Sequence, residues 1–363
     1  MLIKIENTRA FFNASIEALK KGGIIALPTD TIYGFGVDGT QSEAVKKLIV
    51  VKGRDEKPFT YFMSKSEIKK YAIITKRKII DYFMPGPLTV ILKKKEEISL
   101  PMTSEKIGIR IPQTDFIIQL LNLYHKPLAV TSANISGQPP LNSAAEIAKK
   151  FTNIDVVING GYILSQPSTV LDLTTTPPTI KRKGTIPILE IEKVYGKRVM
   201  LDDPLKFNLL FVCTANTCRS PMAEGIFKTL VNDQYCVVKS AGILPLNGQS
   251  AAQFSIEVVK EYGGSIVQHQ TKGITKELID WADLILVMEF KHYDAVLQIS
   301  PDATIKTFLL KEYKKRVIYN RIADPIGKEI KAYREAAQEM LPSLKAVAQD
   351  IEKRYEKVEP NVK

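Results

Sequence analysis

The sequence predicts an α/β protein of two domains, a basic twisted α/β sheet followed by a parallel sheet with helices on both faces. Three observations lead there. The chain has 363 residues, and at roughly 100 to 200 residues per domain that length divides into two. Short apolar runs alternate with stretches of helical spacing from end to end, as in sheets covered by helices. Charge is split unevenly: residues 1–206 hold 30 Lys and Arg against 20 Asp and Glu, a net +10, whereas 207–363 hold 21 against 19, a net +2. The pattern changes near 185–206, which sets the joint at about 200 and the domains at 1–200 and 207–363.

In the first half, strand candidates occur at Ile24–Leu27, Leu88–Leu92, Gly108–Ile111, Leu128–Val130, Val156–Ile158 and Val170–Leu173. Helical spacing at Ser42–Val51 and Phe116–Leu123 lies between them, so a sheet with interleaved helices is expected, its strand order not fixed by periodicity. Pro187–Glu192 reads as a last short strand before the turn Asp202-Asp203-Pro204. Beyond it, Phe207–Val212 is a strand and Pro221–Leu230 a helix with proline near its start. Apolar runs at Leu284–Val287 and Thr304–Leu309 alternate with helical stretches at 249–262 and 328–355, a parallel arrangement.

Composition narrows the class. Hydrophobic residues make up 45% and charged residues 25%, values of a folded globular chain rather than a disordered one. No apolar run approaches the roughly 18 residues needed to span a bilayer, and the start, MLIKIENTRAFF, interleaves charge with apolar residues, so no membrane association is expected. Three cysteines, Cys213, Cys218 and Cys236, are too few for a disulfide framework, which points to the cytoplasm. The basic first half suits a polyanion, nucleotide phosphates or RNA, although lysine runs such as Lys93-Lys94-Lys95 also serve as solvated surface.

The segment Cys213-Thr214-Ala215-Asn216-Thr217-Cys218-Arg219-Ser220-Pro221 falls where a strand ends and a helix begins. Backbone N–H groups of such a loop and the helix terminus point inward and favour a dianion, and Arg219 can fork onto two phosphate oxygens. The same field favours a thiolate at Cys213, able to attack phosphorus, with Ser220 donating to it as leaving group. With this run, Ser240-Ala241-Gly242, the segment WADLILVMEFKH, Ala323-Asp324-Pro325 and Tyr333-Arg334, residues 207–355 resemble the low-molecular-weight protein tyrosine phosphatases, a Rossmann-like fold. The resemblance implies Cys213 as nucleophile, Arg219 as phosphoryl binder, Asp324 as general acid, Asn216, Thr217 and Cys218 as phosphate-loop residues, and no cofactor or metal.

Departures bear on substrate. Ile326-Gly327 follow Asp324-Pro325 where eukaryotic members place tyrosines, and Thr217 is shared with the branch resembling protein-arginine phosphatases, so phosphotyrosine and phosphoarginine proteins both stand as substrates. Ala215 replaces the usual glycine, which would strain the loop if that position required positive φ. Arsenate reduction would need further downstream cysteines, and only Cys236 follows the loop. Cys218 is either a packing residue or a disulfide partner for Cys213. His269 and His292 lack metal-ligand spacing and read as structural.

Four polar segments in the first half follow or flank apolar runs: Pro28–Gly34 (PTDTIYG), Lys52-Gly53-Arg54 with Lys57-Pro58, Thr131–Gly137 (TSANISG) and Ser168–Asp172 (STVLD). Hydroxyls and an amide facing a Lys/Arg pair are groups that bind a triphosphate and a small polar substrate; each alone could be turn chemistry. Together, over residues 8–190, they resemble the YrdC/TsaC threonylcarbamoyl-AMP synthases. The resemblance implies ATP binding by Lys52, Arg54, Ser132, Asn134 and Arg182, and L-threonine binding by Thr31, Arg110, Thr131 and Ser168. It further implies that L-threonine, bicarbonate and ATP, with Mg²⁺, give threonylcarbamoyl-AMP and pyrophosphate for a tRNA-modifying transferase machinery. No GxxxxGKS loop is present, so an ordinary P-loop ATPase is not expected. The alternative is a basic RNA-binding module carrying a phosphatase or docking domain.

Overall fold

The computed structural model describes residues 2–4, 8–53, 58–313 and 321–356. The chain divides into two compact units, Met1–Ile186 with Val194–Lys197, and Pro187–Lys193 with Arg198–Lys363. The first contains β1 (Leu2–Lys4), α1 (Thr8–Lys20), β2 (Ile25–Leu27), β3 (Gly34–Asp38), α2 (Ser42–Lys52), β4 (Thr60–Phe62), α3 (Ile68–Tyr71), β5 (Ala72–Ile73) and α4 (Arg77–Phe83). It continues with β6 (Leu88–Lys94), β7 (Lys106–Arg110), α5 (Asp115–Tyr124), β8 (Leu128–Ser132), α6 (Ala144–Lys150), β9 (Val156–Asn159), β10 (Thr169–Asp172) and β11 (Thr179–Arg182).

Its strands form a mixed sheet in the order β1-β9-β2-β3-β8-β4-β7-β6-β10-β11, with β5 beside β6. Two registers place functional side chains. Gly34 lies opposite Ser132 and Phe35 opposite Thr131 where β3 runs antiparallel to β8, and Thr169 lies opposite Leu88 where β10 runs parallel to β6. The polar ends of four separate segments thereby meet at one region of the sheet. One face is covered by α1 and α5, whose Phe11 and Phe116 rings meet edge to face at 5.5 Å, over a core that includes Leu27, Ile117, Leu121 and Val130. Helix α2 ends at Lys52 because Gly53 takes the left-handed conformation, φ 54°, and its N–H returns to the carbonyls of Ile49 and Val50.

One expectation is overturned at the joint. Pro187–Glu192 is not a strand; Ile188–Tyr195 is helix α7, and its first residues belong to the second unit. Leu189-Glu190-Ile191-Glu192 alternates like a strand, but the longer window puts Ile188, Ile191 and Val194 on one buried helical face.

The second unit adds β12 (Met200–Leu201), β13 (Phe207–Cys213), α8 (Arg219–Lys228), β14 (Cys236–Gly242), α9 (Gln253–Glu261), α10 (Lys276–Trp281), β15 (Leu284–Val287), α11 (Phe290–Ile299), β16 (Thr307–Leu309) and α12 (Ile330–Glu352). The sheet β14-β13-β15-β16 is parallel throughout, as its alternation with helices requires. Thr304–Leu309, expected as one strand, begins as a 3₁₀ turn over Pro301–Lys306, and only Thr307–Leu309 pairs with β15.

A buried ion cluster closes this unit. Arg354, fully buried, pairs with Glu192 and donates to Asp350 at 3.1 Å. Arg198 donates to Asp350 through Nε at 2.9 Å, Tyr313 donates to Asp350 at 3.0 Å, and Glu192 accepts the Val199 N–H at 2.9 Å. The Arg354 guanidinium stacks on the Phe207 ring, 4.9 Å from its centroid. Among the described residues no helix is long and apolar enough to cross a membrane.

Candidate active sites

In the first unit a cavity of about 280 Å³ opens where β7 and β8 end and β3 and β10 begin, and Thr31, Arg110, Thr131, Ser132, Ser168 and Arg182 all line it. The loop before β3 is built on Thr29, whose Oγ1 accepts the N–H groups of Thr31 and Ile32 at 3.1 and 3.2 Å and donates to the Ile32 carbonyl at 2.7 Å. This turn holds the Thr31 hydroxyl inward.

Arg110 is the fixed cation of the cavity. Only 4% exposed, it donates through Nε to the Gly86 carbonyl at 3.2 Å, through Nη1 to Thr31 Oγ1 at 2.9 Å and through Nη2 to Asp30 Oδ1 at 2.5 Å. A guanidinium has five N–H donors, so one on each terminal nitrogen remains, a fork of the shape that takes a carboxylate. Burial draws Arg110 below its ordinary value and Asp30 opposes the shift; the group stays cationic. Across the cavity, Arg182 donates to the Ser168 carbonyl through Nε at 3.0 Å and through Nη2 to Ser168 Oγ at 3.0 Å. Ser168 Oγ lies 2.9 Å from Thr89 Oγ1.

Lys52, at the end of α2, donates to the Ser132 carbonyl at 2.6 Å and to Ser132 Oγ at 3.0 Å, and it also meets Asn134 Oδ1. Ser132 Oγ donates to Asn134 Oδ1 at 2.6 Å. Three of the four residues of the expected nucleotide tetrad are thus one hydrogen-bonded group. Arg54, the fourth, lies outside the described residues. The described residues contain no group of three His, Cys, Asp or Glu side chains placed to hold a metal.

In the second unit Cys213 ends β13 and Arg219 begins α8, with the loop between them. Cys213 Sγ lies 2.9 Å from Ser220 Oγ. Asn216 supports the loop from within: its backbone is left-handed at φ 58°. Its Nδ2 donates to Ser220 and Ser240 at 2.9 Å each, and its Oδ1 accepts the Lys272 N–H at 3.0 Å. The expected strain at Ala215 is thereby corrected: the positive φ falls on Asn216, a residue type that tolerates it. Gly242 lets the strand beside the loop approach, because a Cβ there would meet the Thr214 carbonyl oxygen at 2.8 Å and the Asn216 nitrogen at 2.9 Å.

Arg219, 1% exposed, pairs with Glu289 and Asp324 and donates to the Ile322 carbonyl at 3.0 Å and to Thr214 Oγ1 at 3.3 Å. Burial pushes Glu289 up, but Arg219 and Lys291 outweigh it and hold the carboxylate below its ordinary range. Cys213 and Cys218 are both free and buried; Cys218 Sγ faces the Tyr333 hydroxyl at 3.6 Å and Thr217 Oγ1 at 3.5 Å. His269 donates through Nε2 to the Asn216 carbonyl at 2.9 Å.

Sequence reasoning gave no individual site role to Thr29, Asp30 and Thr89 in the first site or to Thr214, Ser240, Glu289 and His292 in the second, and read His292 as structural. Two signals were available: a lone hydroxyl within the apolar run LTVIL, and an acid beside the strand end in LILVMEF.

Residues 17–184 match the Sua5/YciO/YrdC family model, described as "Telomere recombination", and residues 208–357 match "Low molecular weight phosphotyrosine protein phosphatase". The first half is 35% identical over 188 residues to the threonylcarbamoyl-AMP synthase of Pyrococcus abyssi, covering 49% of this chain and 55% of that protein. The chain thus spans about half the length of that relative. It is 39% identical over 188 residues to a putative threonylcarbamoyl-AMP synthase of Methanocaldococcus jannaschii, covering 49% of this chain and 89% of that protein. The second half is 37% identical over 150 residues to a protein-arginine-phosphatase of Geobacillus stearothermophilus, covering 41% of this chain and 98% of that protein. The chain therefore belongs to two enzyme families at once, its first half to the Sua5/YrdC family of threonylcarbamoyl-AMP synthases and its second to the low-molecular-weight phosphatases.

Proposed function

We propose that the chain is a bifunctional enzyme, its first unit making threonylcarbamoyl-AMP from L-threonine, bicarbonate and ATP. The observation that carries this reading is the Arg110 fork in a cavity whose opposite side presents Ser132 with Lys52 and Asn134 behind it. Arg110 takes the threonine carboxylate, and the hydroxyls of Thr31, Thr131 and Ser168 orient the amino acid. The amine captures carbon dioxide or bicarbonate, the carbamate oxygen attacks the α-phosphorus, and pyrophosphate leaves. Lys52, Arg54 and Arg182 stabilise the charge that accumulates on the leaving group. Mg²⁺, when bound with the nucleotide, would supply further neutralisation of that charge. The product passes to tRNA through a threonylcarbamoyl transferase in the cytoplasm.

Pyrophosphate release from ATP by the purified chain is expected to require both threonine and bicarbonate and to vanish in Lys52→Ala. RNA affinity in a folded chain that releases no pyrophosphate would replace this reading with that of an RNA-binding module.

The second unit is proposed to be a cysteine-dependent protein phosphatase, carried by the contact of Cys213 Sγ with Ser220 inside a cradle that also holds Arg219 and Asp324. Cys213 attacks phosphorus, the bond to the leaving group breaks, and Asp324 gives that group its proton; water then attacks the phosphocysteine, with Asp324 taking the proton back. Phosphoarginine is favoured as substrate because Ile326 and Gly327 provide no aromatic wall for a phosphotyrosine ring. The identity to an arginine phosphatase supports the same choice. A phosphoarginine peptide is expected to give at least about tenfold higher kcat/KM than the matched phosphotyrosine peptide, a difference of about 1.4 kcal/mol. Equal or reversed values would return phosphotyrosine as the substrate.

A further inference from the structure

His292 lies on α11 with no exposed surface, beside the phosphate cradle yet outside the chemistry described above. Its Nε2 is 2.9 Å from Thr214 Oγ1, and that same oxygen receives an N–H from Arg219 Nη2 at 3.3 Å. We propose that Thr214 is a catalytic hydrogen-bond donor of the second site, and that buried His292 is the positioning residue that aims its hydroxyl proton into the cradle. The proposal rests on the phosphatase reading and assigns that site a donor beyond Arg219 and the loop N–H groups.

A hydroxyl has one proton and two lone pairs. Arg219 can only donate, so it occupies one lone pair. What His292 does depends on its charge and tautomer. Burial first, then the Arg219 charge, pushes His292 down to about 4, so at neutral pH the ring carries a single N–H. Nδ1 is buried and has no hydrogen-bond partner. A proton on Nδ1 would leave a buried donor unpaired, an arrangement rarer in folded proteins than an unfilled acceptor. That assigns the proton to Nε2, where it is donated to Thr214.

Both lone pairs of Thr214 Oγ1 are then occupied, and its own proton must point in the remaining tetrahedral direction. Thr214 directly follows the nucleophile and is only partly buried, and the proposal places that direction in the cradle. Its carbonyl accepts the Leu244 N–H at 3.0 Å, which ties the backbone of the residue in place. A hydroxyl locked in this way meets the transferring phosphoryl group without reorienting, and preorganised donors of this kind contribute most where charge develops. No proton leaves His292 during the reaction; it only fixes an angle.

The test measures kcat and KM for p-nitrophenyl phosphate hydrolysis together with the melting temperature. Thr214→Val is expected to lower kcat on the order of 100-fold, the lower range for loss of one pre-aimed donor, with little change in KM. Thr214→Ser, which keeps the hydroxyl, should recover most of the rate. His292→Leu should lower kcat in the same way, and His292→Gln, which supplies an N–H at the position of Nε2, should restore it. The double variant should be no slower than the slower single one, because the two residues act as a unit. Thr214→Val with an unchanged kcat, or losses that multiply in the double variant, would overturn the assignment. Should His292→Leu fail to fold, Thr214→Val and Thr214→Ser, on a partly exposed loop, still decide it. A wild-type chain that hydrolyses no phosphate ester, monoester or phosphoarginine, fails the phosphatase reading itself before any variant is compared.

Discussion

Cys213→Ser is expected to lower phosphate release by at least about 10⁴-fold, the scale on which removal of a covalent nucleophile acts, while threonine-dependent pyrophosphate release stays unchanged. Serine would keep the contact to Ser220 and nearly the same volume at a site that is 3% exposed, so the fold has no reason to change. What is lost is the nucleophile: a hydroxyl carries almost no anion at neutral pH, whereas a thiol is intrinsically far more nucleophilic. Phosphate release and pyrophosphate release measured on the same preparation check both halves of the expectation. Residual turnover above about 1% would remove Cys213 from the role of nucleophile on the same scale. Loss of pyrophosphate release in a folded variant would mean that the two activities depend on each other.

Arg110→Lys is expected to raise the KM for threonine on the order of 100-fold, equivalent to about 2.7 kcal/mol, with a smaller effect on kcat. Lysine keeps the positive charge opposite Asp30 but cannot serve Gly86, Thr31 and Asp30 while offering a planar fork to a carboxylate. Arg110→Ala is the less informative change, because it leaves Asp30, 14% exposed in its side chain, without its cation, a loss that costs about 3–5 kcal/mol where a buried pair is broken. The threonine dependence of pyrophosphate release reads the effect directly. A KM within about threefold of the wild type, less than 1 kcal/mol, would assign the carboxylate to another cation, with Arg182 the next to test.

The two sites differ in how much of them could be read from sequence, and the difference is one of locality. The phosphate loop is nine consecutive residues, Cys213–Pro221, held by one strand end and one helix start, so its chemistry is written in one place. Its supports are not. Glu289 meets Arg219 across 70 positions and His292 meets Thr214 across 78, and no periodicity links residues so far apart. The first site is non-local throughout: Thr31 reaches Arg110 across 79 positions and Lys52 reaches Ser132 across 80. There the segments could be named, but their meeting depends on strand order, which hydrophobic spacing does not encode. The misread strand at Pro187–Glu192 shows a different limit, since six residues are too few to separate a period of two from one of 3.6.

The ion cluster around Arg354 sets where the second half begins as an object that can fold. Similarity to the phosphatases starts at residue 208, yet Glu192 and Arg198, which balance and brace Arg354 and Asp350, stand upstream of it. A fragment cut at the family boundary would keep a fully buried guanidinium and leave behind Glu192, one of the two carboxylates that pair with it. For this chain the unit of inheritance and the unit of folding have different first residues, and the segment that looks like a connector is part of the second unit's interior charge balance.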